Sequence, residues 1–166
     1  LVFEMAKHIR AEHFGVLGYM ATRSESVAEA LQNVVRFSRL VIDGDEIVPM
    51  HMSHEGKQII LAWPLHDSEF SMLNELTTAC MAHLAKQIFP ASLKLLVIKF
   101  AHAAQMARYQ YEKFYGCQIE FSTAHYSFVL HADSLDLKSE LADPSLMQLL
   151  LRQAEDAIAA RPQHFQ

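Results

Sequence analysis

The sequence predicts an α+β domain: an antiparallel or mixed sheet of about five strands, with helices packed mainly on one face. Three observations carry this. Short stretches at 47–52, 58–63 and 95–100, around Ile119, and at 126–130 are apolar or alternate with polar neighbours at strand length. Longer segments at 26–40, 71–88 and 143–160 repeat apolar residues at helical spacing. Neither kind can bury its apolar side alone, so each must cover the other. A chain of 166 residues with 51% hydrophobic content is enough for one core, and a single domain over 1–166 is expected.

Taken in order, residues 1–13 read as the end of a helix with Leu1, Met5, His8 and Ile9 on one face. Residues 14–20 are apolar with Gly15 and Gly18, a buried turn leading into a short helix. No GxGxxG spacing is present and no Lys-Ser or Lys-Thr follows, so these glycines serve packing rather than phosphate binding. Ser26-Val27-Ala28-Glu29 is a capping box, and Val27, Ala30, Leu31, Val34, Val35 and Ser38 form the face behind it. Asp43-Gly44-Asp45 breaks that pattern. Two strands then join at Ser53-His54-Glu55-Gly56, with Pro49 marking an edge strand or bulge and Pro64 closing the second.

The next helix starts at Ser68 or Ser71 and ends before Pro90. Its apolar face reads Leu73, Leu76, Thr77, Cys80, Leu84 and Ile88, flanked by Met72 and Met81, and it should lie across the sheet. Leu84→Asp is therefore expected to be severely destabilising. Residues 93–130 organise the rest of the chain as strand, helix and hairpin: a strand to Phe100, a helix over 103–115 stopped by Gly116, and a hairpin of 119–121 with 126–130. Asp143 caps the last helix and Pro144 sits in its first turn, with Leu146, Leu149, Leu150, Ala154 and Ala157 on one face.

Composition narrows the chemistry. Net charge is −5, and Lys and Arg are scattered, Arg36 and Arg39 being the closest cluster. Phosphate contacts need several cations on one face, so this chain is not expected to bind DNA by itself. Cys80 and Cys117 lack a CxxC context, which fits a reduced, cytoplasmic protein. No apolar run reaches membrane-span length and no signal peptide is visible, so no membrane partner is expected. Ten histidines invite a metal reading, but His51 and His54 straddle a turn, and His8 and His13 share no helical face. No metal or cofactor is expected; haem ligation by His83 is weaker than a core role. There is no GxSxG, no HExxH and no Cys–His pair at a known spacing, hence no catalytic set. Cys117, at a helix C-terminus, should have a raised thiol pKa.

What stands out is eight Met, ten Phe, five Tyr and the single Trp63. Most belong to the core, and a minority would line a small-molecule cavity with a few polar anchors. The candidates are Tyr19, Arg36, Trp63, Thr77, Cys80, His83 and Tyr126. The cavity is expected between the helix at 71–88 and the strand holding Trp63.

Several motifs are shared with one family: Phe100-Ala101-His102, the run Tyr111-Glu112-Lys113-Phe114-Tyr115-Gly116-Cys117, Ile119-Glu120-Phe121 and Phe128-Val129-Leu130. His13-Phe14-Gly15-Val16-Leu17-Gly18-Tyr19, the SVAEAL of 26–31 and Ala142-Asp143-Pro144-Ser145-Leu146 keep the same order and spacing. The chain thereby resembles the amino-terminal effector-binding, arabinose-binding-like domain of AraC-type bacterial transcription regulators. Tyr126 departs from the pattern, standing where the family usually has asparagine. The resemblance implies a non-enzymatic sensor whose small-molecule effector controls DNA binding by a helix-turn-helix domain expected beyond Gln166. It also implies a homodimer. The apolar richness makes a fatty or aromatic effector more attractive than a sugar. Two rivals come from other classes: a small cytosolic enzyme acting on an acyl or aromatic compound, and a pure dimerisation module. Turnover of model esters would mark the first, and the absence of any ligand-induced thermal shift the second.

Overall fold

Among the described residues, the last strand in sequence lies at the centre of a five-stranded mixed sheet. The computed structural model describes residues 1–38, 50–63, 71–89 and 93–160, and the strands are β1 (His51–Glu55), β2 (Gln58–Trp63), β3 (Leu95–Lys99), β4 (Gln118–Glu120) and β5 (Tyr126–His131). β1, β2, β5 and β3 pair antiparallel in turn, whereas β3 and β4 run parallel. Among the described residues the helices are α1 (Val2–Ala6), α2 (Gly15–Arg23), α3 (Val27–Phe37), α4 (Ser71–Ile88), α5 (Arg108–Tyr115) and α6 (Pro144–Ala160).

The register explains why one face is the core. Leu61 lies opposite Phe128, Phe128 opposite Ile98, and Ile98 opposite Ile119, so one row of large side chains crosses four strands. These residues are buried together with Ala79, Cys80 and Ala82 of α4, Tyr111 and Tyr115 of α5, and Ala6 of α1. Each large aliphatic or phenylalanine side chain withdrawn from water in this row contributes about 1.5–3 kcal/mol. The other face is less uniform: Ala62, Ser127 and Val129 are buried, while Ile60, Val97 and Lys99 are only half-buried. A second, helical cluster joins Leu17 and Met20 of α2, Phe37 of α3, and Met147 and Ala154 of α6. Gly18 is what lets α2 close against the turn before it: a Cβ there would lie 1.8 Å from the Ala11 carbonyl oxygen.

Helix ends follow the sequence signals. Ser26 Oγ accepts from Glu29 N at 3.3 Å, Asp143 Oδ1 accepts from Leu146 N at 3.1 Å, and Gly116 closes α5 in the left-handed region at φ 69°. The turn between β1 and β2 places Gly56 at φ 59°. β1 is an edge strand, as Pro49 suggested, although Pro49 and the break at 43–45 lie outside the described residues.

Four expectations are corrected. α5 begins at Arg108, because 103–107 forms no helical turn. β4 and β5 do not form a hairpin, since they flank β3 on opposite sides. The strand–helix–strand connection through α5 returns the chain parallel to β3, as such crossovers do. The following loop then crosses the end of β3, pinned by Ser122 N to the His102 carbonyl (2.9 Å) and Thr123 N to the Phe100 carbonyl (3.1 Å). α1 turns Val2, Phe3 and Ala6 inward and leaves Leu1 and Met5 exposed, because Phe3 finds a ring stack on Phe114 at 4.3 Å.

The fourth correction concerns α4. Its buried residues are Asn74, Glu75, Thr78, Ala79, Cys80 and Ala82, while Leu73 is 58% and Met72 68% exposed. The helix is rotated relative to its apolar periodicity because Asn74 and Glu75 have polar partners waiting inside. Leu84 is only half-buried, so an aspartate there keeps access to water. Ala79, fully buried, is the better probe. Ala79→Asp is expected to cost on the order of 4 kcal/mol and lower the melting temperature by about 10 °C. Leu84→Asp should cost about a third of that. Equal losses in a calorimetric comparison would mean that α4 faces the sheet as its periodicity suggests.

Candidate functional site

Five polar side chains meet inside the apolar layer between α4, α5 and the sheet. Glu75 (1% exposed) and Asn74 come from α4, Tyr111 from α5, Tyr126 from the start of β5, and His102 (6% exposed) from the segment after β3. The Tyr111 hydroxyl donates a hydrogen bond to Glu75 Oε1 and accepts one from Gln105 N at 3.1 Å. At the other end, Asn74 Nδ2 donates to the Tyr126 hydroxyl oxygen at 3.3 Å, and that hydroxyl lies 2.7 Å from His102 Nδ1. The remaining ring nitrogen, His102 Nε2, sits 3.4 Å from Glu75 Oε1. That is close enough for charge attraction but misaligned for a hydrogen bond, and Nε2 has no other partner among the described residues. The tautomer that fits has Tyr126 donating to Nδ1 and the Nε2 proton turned toward the carboxylate. Both ends of this polar chain thus turn toward one buried carboxylate, Tyr111 through a hydrogen bond and His102 through proximity alone.

An aromatic wall stands beside this chain. Trp63 stacks on Tyr126 with ring centroids 6.0 Å apart and an interplanar angle of 9°, and its ring lies 5.2 Å from Phe128. Phe100 contacts His102, Tyr111 and Tyr126. The arrangement provides an apolar slab edged by hydroxyl, amide, imidazole and carboxylate groups. Among the described residues no Ser, Thr or Cys side chain is hydrogen-bonded to the His102 ring or the Glu75 carboxylate, so the pair lacks an attached nucleophile.

Of the residues singled out from sequence, Trp63, Tyr126 and Cys80 share the main core cluster. Thr77 lies half-buried on α4. His83, further along α4, pairs with Gln87 at 3.1 Å and faces a different, surface groove. Tyr19 is 45% exposed on α2, and Arg36 is committed to Glu155 of α6 at 3.2 Å, so these two belong to the helical cluster side. The sequence reading missed Asn74, Glu75, His102 and Tyr111 as site residues. Their signal was present in part: a carboxylate and an amide side by side interrupt an otherwise apolar helix. No group of three metal-ligating side chains occurs among the described residues.

Burial dominates the ionisable groups here. It pushes the Tyr111 hydroxyl well above the usual phenol range, and the Glu75 hydrogen bond and charge add to the shift. Tyr115 is raised for the same reasons, burial first and Glu75 next. Cys117 rises from its ordinary 9.0 to about 11 through burial, against the opposing charge of Lys86. The rise was expected from the helix terminus, but burial is its cause.

These groups hold their protons more tightly when folded, so the native state binds more protons than the unfolded one above pH 9. Stability is fully present below the unfolded pKa values and falls as pH rises from about 9 toward 11 and beyond. In urea titrations across this window, Cys117→Ala should flatten the early part of the fall and Tyr111→Phe the later part. A stability that is constant or rises with pH there would contradict the assignment.

The comparisons with known proteins come to the same domain type. The family model described as the arabinose-binding domain of AraC transcription regulator, N-terminal, matches residues 1–139. No curated protein matches the chain. Among solved structures, the crystal structure of the transcriptional regulator CdpR from Pseudomonas aeruginosa is similar, with a TM-score of 0.70 and 18% identity over 92% of this chain. The chain spans 50% of that structure's length, and at this identity the likeness speaks for the fold. With the family model covering most of its length, the chain belongs to the N-terminal arabinose-binding domain family of AraC transcription regulators.

Proposed function

We propose that this domain senses a small-molecule effector and controls DNA binding by a helix-turn-helix domain of the same regulator. The family match is the observation that carries the reading. The interior chemistry is consistent with it: the Trp63–Tyr126 stack, itself buried, lies beside a polar chain with hydrogen-bonding groups at one edge. An aromatic or other largely apolar molecule carrying one polar group fits that surface better than a sugar, whose many hydroxyls would each need a partner. Binding there would bear on α4, α5 and the sheet at once. Differential affinity for two arrangements of the domain then shifts the equilibrium between arrangements of the DNA-reading domains. We further propose that the regulator acts in the cytoplasm and associates as a homodimer, with any DNA contact made outside this acidic domain. The match to a transcription-regulator family favours this reading over the enzyme one.

Trp63 is the only tryptophan, so its emission reports one place. Screening of small aromatic and acyl compounds by thermal shift should yield a stabilising ligand that also changes Trp63 emission. Tyr126→Phe should weaken that ligand about tenfold while the domain stays folded, one hydrogen bond being worth about 1.4 kcal/mol. A ligand that raises the melting temperature without touching Trp63 emission, and binds Tyr126→Phe equally well, would move the effector site elsewhere.

A further inference from the structure

Outside the interior cluster, α1, α4 and α5 enclose a groove of about 410 Å³, open along one side. Its volume falls within the range that holds small ligands, roughly 300–1,000 Å³. The floor is apolar, with Phe3 and Phe114 stacked at 4.3 Å and Ala82 beside them. The rim is not. Lys7, Lys86 and Lys113 all line it against one carboxylate, Glu4, which lies 3.5 Å from the Lys7 ammonium. In a chain with 19 acidic and 14 basic residues, a three-to-one excess of lysine around one groove reverses the local charge.

Lys86 is also held in place. Its ammonium donates to the Tyr115 carbonyl at 2.7 Å and sits 3.5 Å from the Phe114 carbonyl, at the C-terminal end of α5. Carbonyls at a helix C-terminus attract a cation and fix this side chain, so its ordering entropy is spent before any ligand arrives. An ammonium has three donors, and these carbonyls leave at least one for a further acceptor.

We infer that this groove is a second binding site, one that takes an amphiphilic organic anion: a carboxylate head among the lysines, a hydrocarbon or aromatic body on Phe3 and Phe114. The site shares no residue with the Trp63–Tyr126 wall or the buried polar chain, and so stands apart from the effector reading. The apolar floor supplies area-dependent affinity, and the rim supplies the sign preference. A nucleic acid is a poorer fit, because one enclosed groove cannot follow a repeating phosphate backbone.

Isothermal titration of the 166-residue chain with decanoate, below its micelle concentration, tests this. Saturable one-to-one binding that weakens with added salt is expected, with Trp63 emission unchanged. Lys7→Glu/Lys113→Glu, a double reversal at exposed positions, should weaken binding by about tenfold or more while the melting temperature holds. Decanol and acetate should bind far more weakly, the first lacking the charge and the second the body. No saturable binding, equal affinity of the double variant, decanol binding as tightly as decanoate, or a decanoate-induced change in Trp63 emission would each overturn the inference.

Discussion

A single buried carboxylate sets the terms for this domain. Glu75 lies almost wholly out of water in the second turn of α4, and an ionised group there is tolerated only with partners on hand. The Tyr111 hydroxyl supplies one, and His102 lies within reach of the same oxygen. These partners come from α5 and from the segment after β3, so satisfying one side chain fixes the relation of two helices to the sheet. The rotation of α4, which leaves Leu73 and Met72 in solvent, follows from the same requirement. Two exposed apolar side chains cost less than one unsatisfied buried charge.

The rest of the architecture is arranged around that constraint. The row Leu61, Phe128, Ile98 and Ile119 gives the sheet one strongly apolar face, on which α1, α4 and α5 rest. The helices α2, α3 and α6 have a core of their own, closed by the tight approach at Gly18. A domain divided in this way has a sheet half containing the polar interior and a helical half packed largely on itself. Polar networks inside apolar surroundings specify geometry sharply, because each member has few alternative partners. Under the proposed sensing role, such sharpness would help to distinguish one small molecule from its analogues.

Much of this was legible in the residues. The caps at Ser26 and Asp143, the left-handed stop at Gly116 and the close approach near Gly18 are local signals, decided by backbone geometry within a few residues. The strands at 58–63 and 95–99 were equally plain. Pairing was not: the 119–121 and 126–130 segments looked like a hairpin because they are neighbours in sequence, yet β3 lies between them. Only the crossover through α5 reveals that, and crossovers are tertiary. The face of α4 failed for a related reason. Hydrophobic periodicity assumes that carboxylates point to water, and Glu75 breaks the assumption because Tyr111, 36 residues away, receives it. Of the candidate anchors, Trp63 and Tyr126 share a stack because they are directly paired across β2 and β5, whereas Tyr19 and Arg36 were drawn from another layer.

Glu75 and Tyr111 are coupled, and their bond organises the interior. A double-mutant cycle measures this directly, with Glu75→Met and Tyr111→Phe made singly and together and unfolding followed in urea at neutral pH. Tyr111→Phe in the native background strands a buried carboxylate, but in the Glu75→Met background it removes a hydroxyl that has already lost its acceptor. The predicted coupling is about 1–3 kcal/mol, with the double variant more stable than the sum of the single losses implies. Losses that add to within about 0.5 kcal/mol would show that the two groups do not depend on each other, and the account would fail at its centre.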